Sequence, residues 1–243
     1  HFGAIQYLWK RLSVPVYGTA FTLALLRRKL SESRLDYKIP LHELDFNITY
    51  DFGPISVELV QLTHSVPDPA ALVLRSDEGV ILHTGDWKFD ENPMLGEDTD
   101  RERLRQIGDE GVTALIGDST NAMVDGYTPS EAVALQGLTD VIAESKGLVA
   151  VTCFASNVAR LESIIAAAVA NNRSVCVVGR ALNRTIGAAR DTGYLADIPD
   201  FVSELEVGLI PRNNMVVICT GSQGETRAAM AKIAASIHET IEL

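Results

Sequence analysis

Val57-Glu58-Leu59-Val60-Gln61-Leu62-Thr63-His64-Ser65-Val66-Pro67-Asp68 is a largely apolar run that delivers an imidazole near its end. Val80-Ile81-Leu82-His83-Thr84-Gly85-Asp86-Trp87 is a second such run, and it delivers a carboxylate. Apolar segments of this length and composition read as strands. Two strands that place His64 and Asp86 at their mouths are a way for a sheet to build a metal site at one edge. The surrounding sequence extends the pattern. Phe46 to Gly53 reads as a strand entering a Gly53-Pro54 turn, and Ile55 to Leu62 is the strand that follows. Ala71 to Arg75 is a third strand, and Asp77-Glu78-Gly79 turns it back into Val80 to His83. The region is a strand meander, one sheet of a sandwich.

Outward from this meander the chain changes rhythm. Gln6 to Arg11 reads as an amphipathic helix, and Thr19 is a plausible N-cap for a helix from Phe21 to Leu30. A polar stretch after Pro93 ends in a short helix near Arg105, and Val112 to Asp118 is another strand ending in an acid. Near Tyr127-Thr128-Pro129-Ser130 a different plan begins, with Thr128 or Ser130 capping a helix through Val141. A strand, a small or polar turn and a helix then repeat. The units are Leu148–Cys153 with Val158–Ala170, Ser174–Val178 with Ala181–Arg190, and Val216–Cys219 with Glu225–Ile237. Such alternation predicts a parallel sheet buried by helices. The boundary falls near 124–130, with no flexible linker.

The chain has 243 residues and a net charge of −11, which speaks against a protein that simply coats nucleic acid. An enzyme with a local basic groove, or with a metal supplying positive charge, stays open. No apolar run is long enough to cross a bilayer, so no membrane partner is expected. Cys153, Cys176 and Cys219 sit in apolar strand-like runs without a C-x-x-C pair. Buried, reduced thiols in a cytoplasmic protein are the expectation.

Each candidate has an ordinary alternative. A histidine at a strand end is often only a hydrogen-bonded surface residue, and Thr84-Gly85-Asp86 is also a plain turn. His83 is read as structural, and His42 and His238 as surface residues. Asp118-Ser119-Thr120-Asn121 is either a turn cap or a carboxylate that orients a ligand or water at a strand end. Thr220-Gly221-Ser222-Gln223-Gly224 and Phe154-Ala155-Ser156-Asn157 follow strands and open helices. Their backbone N–H groups suit phosphate, and ordinary N-caps are the alternative. The first lacks the lysine of a Walker loop and the Rossmann glycine spacing.

Taken together and in order, Leu62 to Asp68, His83 to Asp90, Gly117-Asp118-Ser119-Thr120-Asn121 and Thr220 to Glu225 resemble bacterial ribonuclease J. The resemblance implies an α/β architecture: part of a metallo-β-lactamase αββα sandwich at 1–126, then a β-CASP parallel αβα domain at 127–243. It implies RNA as partner, 5′-exonucleolytic and endonucleolytic cleavage, two zinc ions with manganese as the alternative, and a homo-oligomeric full-length protein. His64 and His1 match metal ligands, Asp86 a bridging and catalytic carboxylate, and Asp118 a supporting catalytic acid. Ser156, Asn157, Gly221, Ser222 and Gln223 are the candidate RNA contacts. The remaining ligands of the family signature are not in this sequence, so an internal fragment without nuclease activity is expected. An RNA-binding module and a small-molecule metallo-hydrolase are the competing functions.

Overall fold

The structure is a computed structural model that describes residues 2–33 and 38–242. The chain divides into two compact units, His1–Pro129 and Ser130–Leu243. The division lies inside the 124–130 stretch where the sequence changes rhythm.

The first unit opens with helix α1 (Ile5–Leu12), strand β1 (Val16–Gly18), helix α2 (Ala20–Ser31) and strand β2 (Leu41–Glu43), with β1 and β2 paired in parallel. Its main sheet comprises β3 (Thr49–Phe52), β4 (Ile55–Gln61), β5 (Ala70–Ser76), β6 (Gly79–His83) and β7 (Ala114–Ile116), side by side in that order. β3 to β6 form the antiparallel meander expected from the sequence. Helix α3 (Arg101–Glu110) then crosses over, so β7 joins β6 in parallel. β3 starts three residues later than the sequence indicates. Asn47 adopts a left-handed φ of 60°, and its N–H bonds to the Leu59 carbonyl at 2.8 Å, which bends the chain before the strand. α3 is longer than expected because Asp100 caps it, accepting from the Arg103 N–H at 2.8 Å.

One face of this sheet buries Val60, Leu62, Ala71 and Val73 under Ile107 and Leu104 of α3. Glu58 shares that face and is 1% exposed. A buried carboxylate is tolerable only when paired. Glu58 accepts from Arg103 at 2.6 and 2.9 Å and from Arg75 at 2.8 Å. Arg75 also holds Glu110 at 2.5 and 2.8 Å. The Arg103 guanidinium outweighs the cost of burial and holds the Glu58 carboxyl below its ordinary range. Arg75 does the same for Glu110.

The second unit contains α4 (Glu131–Glu144), β8 (Val149–Thr152), α5 (Val158–Ala170), β9 (Ser174–Val178), α6 (Arg180–Asp191), β10 (Met215–Cys219) and α7 (Ala229–Ala234). The three strands are parallel in the order β8-β10-β9. All five residues of β10 are fully buried, as a central strand covered on both faces requires. Cys176, Val178, Met215, Val217 and Cys219 pack with Ile233 of α7, while α5 packs against β9 and β10. The three cysteines are free and buried. Burial pushes the Cys153 and Cys176 thiols up to about 12 and Cys219 to about 11. The last helix is shorter than the sequence suggests. Gly221 has φ 130°, and the Met230 Cβ lies where a side chain at Gly221 would come within 2.8 Å. That close approach folds 220–228 into a loop, with Met230 N–H bonded back to the Thr220 carbonyl at 3.0 Å.

Arg173 ties this unit together at the end of α4. It is 7% exposed. Its guanidinium donates to the carbonyls of Ile142 at 3.0 Å and Ser145, at the helix end where carbonyls lack intrahelical partners, and to Gly147 just beyond it at 2.7 Å.

Two stability measurements follow. Glu58→Gln strands two guanidiniums against a partly buried site and should cost on the order of 3 kcal/mol in urea unfolding. Because Glu58 and Glu110 titrate below the glutamate value of 4.5 in the folded state, their contribution is full above that value and drains as pH falls below it. The variant's acid limb should be flatter than the parent's. Arg173→Met should lower stability by about 2–4 kcal/mol, since three carbonyls lose a charged donor. Arg173→Lys should recover only part of it, because an ammonium cannot span the fork.

Candidate metal edge and its second-unit counterpart

The direction of each strand settles where the candidate residues go. β4 and β6 both run antiparallel to β5, and β7 runs parallel to β6. The C-terminal ends of β4, β6 and β7 therefore share one edge. His64 lies three residues past β4, Asp86 three past β6 and Asp118 two past β7. His64 is half-buried, and Asp86 is exposed. Burial pushes the His64 imidazole below its ordinary value, against the opposing pull of the Asp86 and Asp118 carboxylates.

The loops are laced to one another. Thr63 is 3% exposed. Its carbonyl accepts from the Lys88 N–H at 2.9 Å, its hydroxyl bonds to the Lys88 carbonyl, and its own N–H donates to Thr99 Oγ1 at 2.9 Å. The loop carrying His64 is thus fastened directly to the loop that follows Asp86. The Asp118 loop joins through Thr84, whose N–H bonds to the Ile116 carbonyl at 2.9 Å and whose Oγ1 accepts from the Asp118 N–H at 3.2 Å. Asp118 Oδ1 accepts from the Thr120 hydroxyl at 2.6 Å and the Thr120 N–H at 2.8 Å. The Thr120 hydroxyl first, then the Thr120 and Trp87 backbone amides and His64, hold the Asp118 carboxyl below its usual range. Asp118 is therefore both a turn cap and a fixed negative charge at this edge.

Asp68 completes the frame. It takes a left-handed φ of 52°, and its Oδ2 accepts from the Phe21 N–H at 2.9 Å. Thr19 stands at the N-cap of α2, but its hydroxyl bonds to Thr22 Oγ1 at 3.1 Å and does not cap. The carboxylate that meets the first turn of α2 comes from 47 residues away. Thr63, Asp68, Thr84 and Thr120 are the residues that the sequence reading did not single out. Their only local signal is a short polar residue next to a candidate ligand in an otherwise apolar run.

Other histidines have structural work. His83 Nδ1 accepts from the Gly85 N–H at 3.0 Å, in keeping with a structural role. His42 is exposed and stacks on Tyr17 at 5.0 Å. His238 is half-buried rather than fully on the surface, and its Nδ1 accepts from the Ile241 N–H at 3.3 Å to close a turn. His1 lies outside the described residues. Among the described residues no group of three or more His, Cys, Asp or Glu is arranged to hold a metal ion. A catalytic zinc takes three protein ligands. His64 and Asp86 have the right donor chemistry and share an edge, but the described residues do not complete a metal site.

In the second unit, β8 and β10 are parallel neighbours, so the turns after them share one edge as well. Asn157 caps α5, its side chain accepting from the Arg160 N–H at 2.8 Å, and Ser156 is exposed beside it. Gly221, Ser222 and Gln223 do not open a helix. α7 begins only at Ala229, and the Gln223 N–H is bonded to Glu225 Oε2 at 3.0 Å. The helix-terminus argument for phosphate at 221–223 is thereby corrected.

Residues 146–243 match the family model described as ribonuclease J, beta-CASP domain. These residues belong to the ribonuclease J β-CASP family. The likeness to ribonuclease J sequences runs beyond that domain. The chain is 46% identical over 234 residues to ribonuclease J of Sinorhizobium meliloti, covering 96% of this chain and 42% of that protein. It is 39% identical to ribonuclease J of Mycolicibacterium smegmatis and 38% identical to ribonuclease J2 of Bacillus subtilis, covering all of this chain and 44% of each relative. The chain thus spans about two fifths of the length of these ribonuclease J relatives. A crystal structure of a protein of unknown function from Enterococcus faecalis V583 shares the fold. It has a TM-score of 0.61 and 17% identity over 86% of this chain and 54% of that one. The mixed α/β architecture, with a mixed five-stranded sheet and parallel two- and three-stranded sheets, agrees with that of the ribonuclease J family. No helix of the described residues is long and apolar enough to cross a membrane.

Asp68→Ala should lower stability by about 1 kcal/mol through loss of the cap. It should also speed amide hydrogen exchange across Ser65–Asp68. Asp68→Asn should do much less, because asparagine caps helices and tolerates the left-handed backbone. Equal exchange rates in the parent and the alanine variant would show that this cap does not hold the His64 loop.

Proposed function

We propose that this chain is part of a metal-dependent ribonuclease of the ribonuclease J type, which cleaves RNA phosphodiester bonds as a 5′-exonuclease and endonuclease. The observation that carries the reading is the arrival of His64, Asp86 and Asp118 at one sheet edge, on loops hydrogen-bonded to each other. The names of the similar proteins supply the substrate, RNA. On this reading residues 1–126 are a metallo-β-lactamase-like domain and 127–243 a β-CASP domain of a cytoplasmic homo-oligomer.

Two zinc ions, or manganese in their place, would act when bound as Lewis acids on the scissile phosphate. His64 offers them an imidazole that burial favours in its neutral, ligating form. Asp86 offers an exposed carboxylate in position to be shared. His1 is a further proposed ligand, and the rest of the ligand set lies outside the described residues. Asp118, kept ionised by Thr120 and the Trp87 amide, adds negative charge and steadies the loops. Ser156, Asn157, Gly221, Ser222 and Gln223 are the proposed RNA contacts on the second unit's sheet edge. A local contact surface of this kind is compatible with a net charge of −11, because phosphate is met by a few placed donors rather than by a basic face.

In the whole protein, Asp118→Asn should reduce metal affinity or turnover by about 10–100-fold, the usual effect of losing an outer partner of a ligand. His64→Ala and Asp86→Asn should each cost more. RNA hydrolysis by the 243-residue chain with added zinc or manganese should not exceed that of its His64→Ala variant. Undiminished turnover of the whole protein carrying His64→Ala would refute the assignment.

A further inference from the structure

Phe89 departs from the pattern of its loop. Trp87 packs against the apolar cluster beneath α3, whereas Phe89 keeps 47% of its surface exposed. Both of its neighbours are tied to the residue before His64. The Lys88 N–H donates to the Thr63 carbonyl at 2.9 Å, and the Asp90 N–H reaches the Thr63 hydroxyl at 3.4 Å. Pinned on both sides, the backbone holds the Phe89 ring at the surface next to the His64 loop.

The ring is also held in place. Trp87 meets it edge-to-face, with centroids 4.7 Å apart and planes at 67°. The Arg101 guanidinium carbon lies 4.9 Å from its centroid. Arg101 is exposed, and its N–H is bonded to the Thr99 carbonyl at 2.8 Å in the first turn of α3. The other cations nearby are engaged with acids: Lys88 with Asp90 at 3.3 Å and Arg103 with Glu58 at 2.6 Å. A single exposed aromatic is unremarkable on a protein surface. A rigidly held ring stacked with an exposed guanidinium, on the loop that carries Asp86, is the chemistry that holds unpaired nucleic acid: π-faces for bases and a cation for phosphate.

We propose that Phe89 and Arg101 form a stacking subsite for one unpaired nucleobase of RNA, Phe89 taking the base and Arg101 the adjoining phosphate. This rests on the RNA reading above and adds to it a place where the strand is gripped. Stacking of this kind tolerates every base, so the subsite positions RNA without selecting sequence.

Trp9 and Trp87 are the chain's two tryptophans, so Trp9→Phe leaves Trp87, in contact with Phe89, as a fluorescent reporter. A short oligoadenylate titrated into this protein at low salt should quench Trp87 and saturate. Phe89→Leu keeps an apolar side chain but loses the ring, and should weaken binding by about 5–150-fold, the span of 1–3 kcal/mol per stacked base. Phe89→Tyr should bind as the parent does. Arg101→Gln should reduce the slope of log affinity against log salt by about 0.7, the value for one phosphate contact on a single strand. This readout stands even if the leucine variant folds poorly. If the parent binds and both Phe89→Leu and Arg101→Gln leave affinity and salt slope unchanged, the subsite is refuted and the RNA reading survives. If the parent binds no oligoadenylate, the subsite is refuted, and the RNA reading is judged separately by turnover of the whole protein carrying His64→Ala.

Discussion

Thr63 holds the candidate edge together. It is a buried polar residue at the end of an apolar strand, and such a residue must find partners. It finds them in Lys88 and Thr99, on a loop that enters the edge from another strand. β4 and β6 are not neighbours, since β5 lies between them. Sheet pairing alone would leave His64 and Asp86 on the same edge but free to drift apart. The Thr63 bonds convert a shared edge into a fixed neighbourhood. Thr84 extends the same linkage to Asp118, and Asp68 anchors the far end of the His64 loop on α2.

The electrostatics of the first unit separate into two regimes. Under α3, charge is confined: Glu58, Arg75, Arg103 and Glu110 satisfy one another in a nearly closed set. At the strand ends, Asp86 is exposed, Asp118 is kept ionised, and the histidine on the same edge is discouraged from protonation by burial. Carboxylate oxygens together with a neutral imidazole are donors that suit a divalent cation. The ion-pair set under α3 serves the fold.

Much of the fold was legible along the chain because the apolar period is strong. The meander from β3 to β6 and the three strand-helix repeats follow from runs such as Val57–Leu62 and Met215–Cys219, whose burial leaves few alternatives. The errors arose where a contact distant in sequence overrides a local preference. Thr19 has the chemistry of an N-cap, yet Asp68 does the capping. Glu225 looks like a helix start, yet the approach of Met230 to Gly221 keeps that stretch a loop. Glu58 sits unremarked between Val57 and Leu59, and its arginines are supplied by the pairing of β5 and the packing of α3.

The order of residues by itself determined which side chains reach strand ends, because strand period and turn chemistry are local. His64, Asp86 and Asp118 were identifiable on that basis, together with the change from meander to parallel repeats. Tertiary structure alone decided that these ends share an edge, since strand direction and the Thr63 and Thr84 bonds join segments 25 to 36 residues apart. It also decided that Phe89 stays outside while Trp87 goes in. Local sequence sets what a residue can offer. Only the closing of long loops sets what it meets, because that depends on partners the chain brings in from elsewhere.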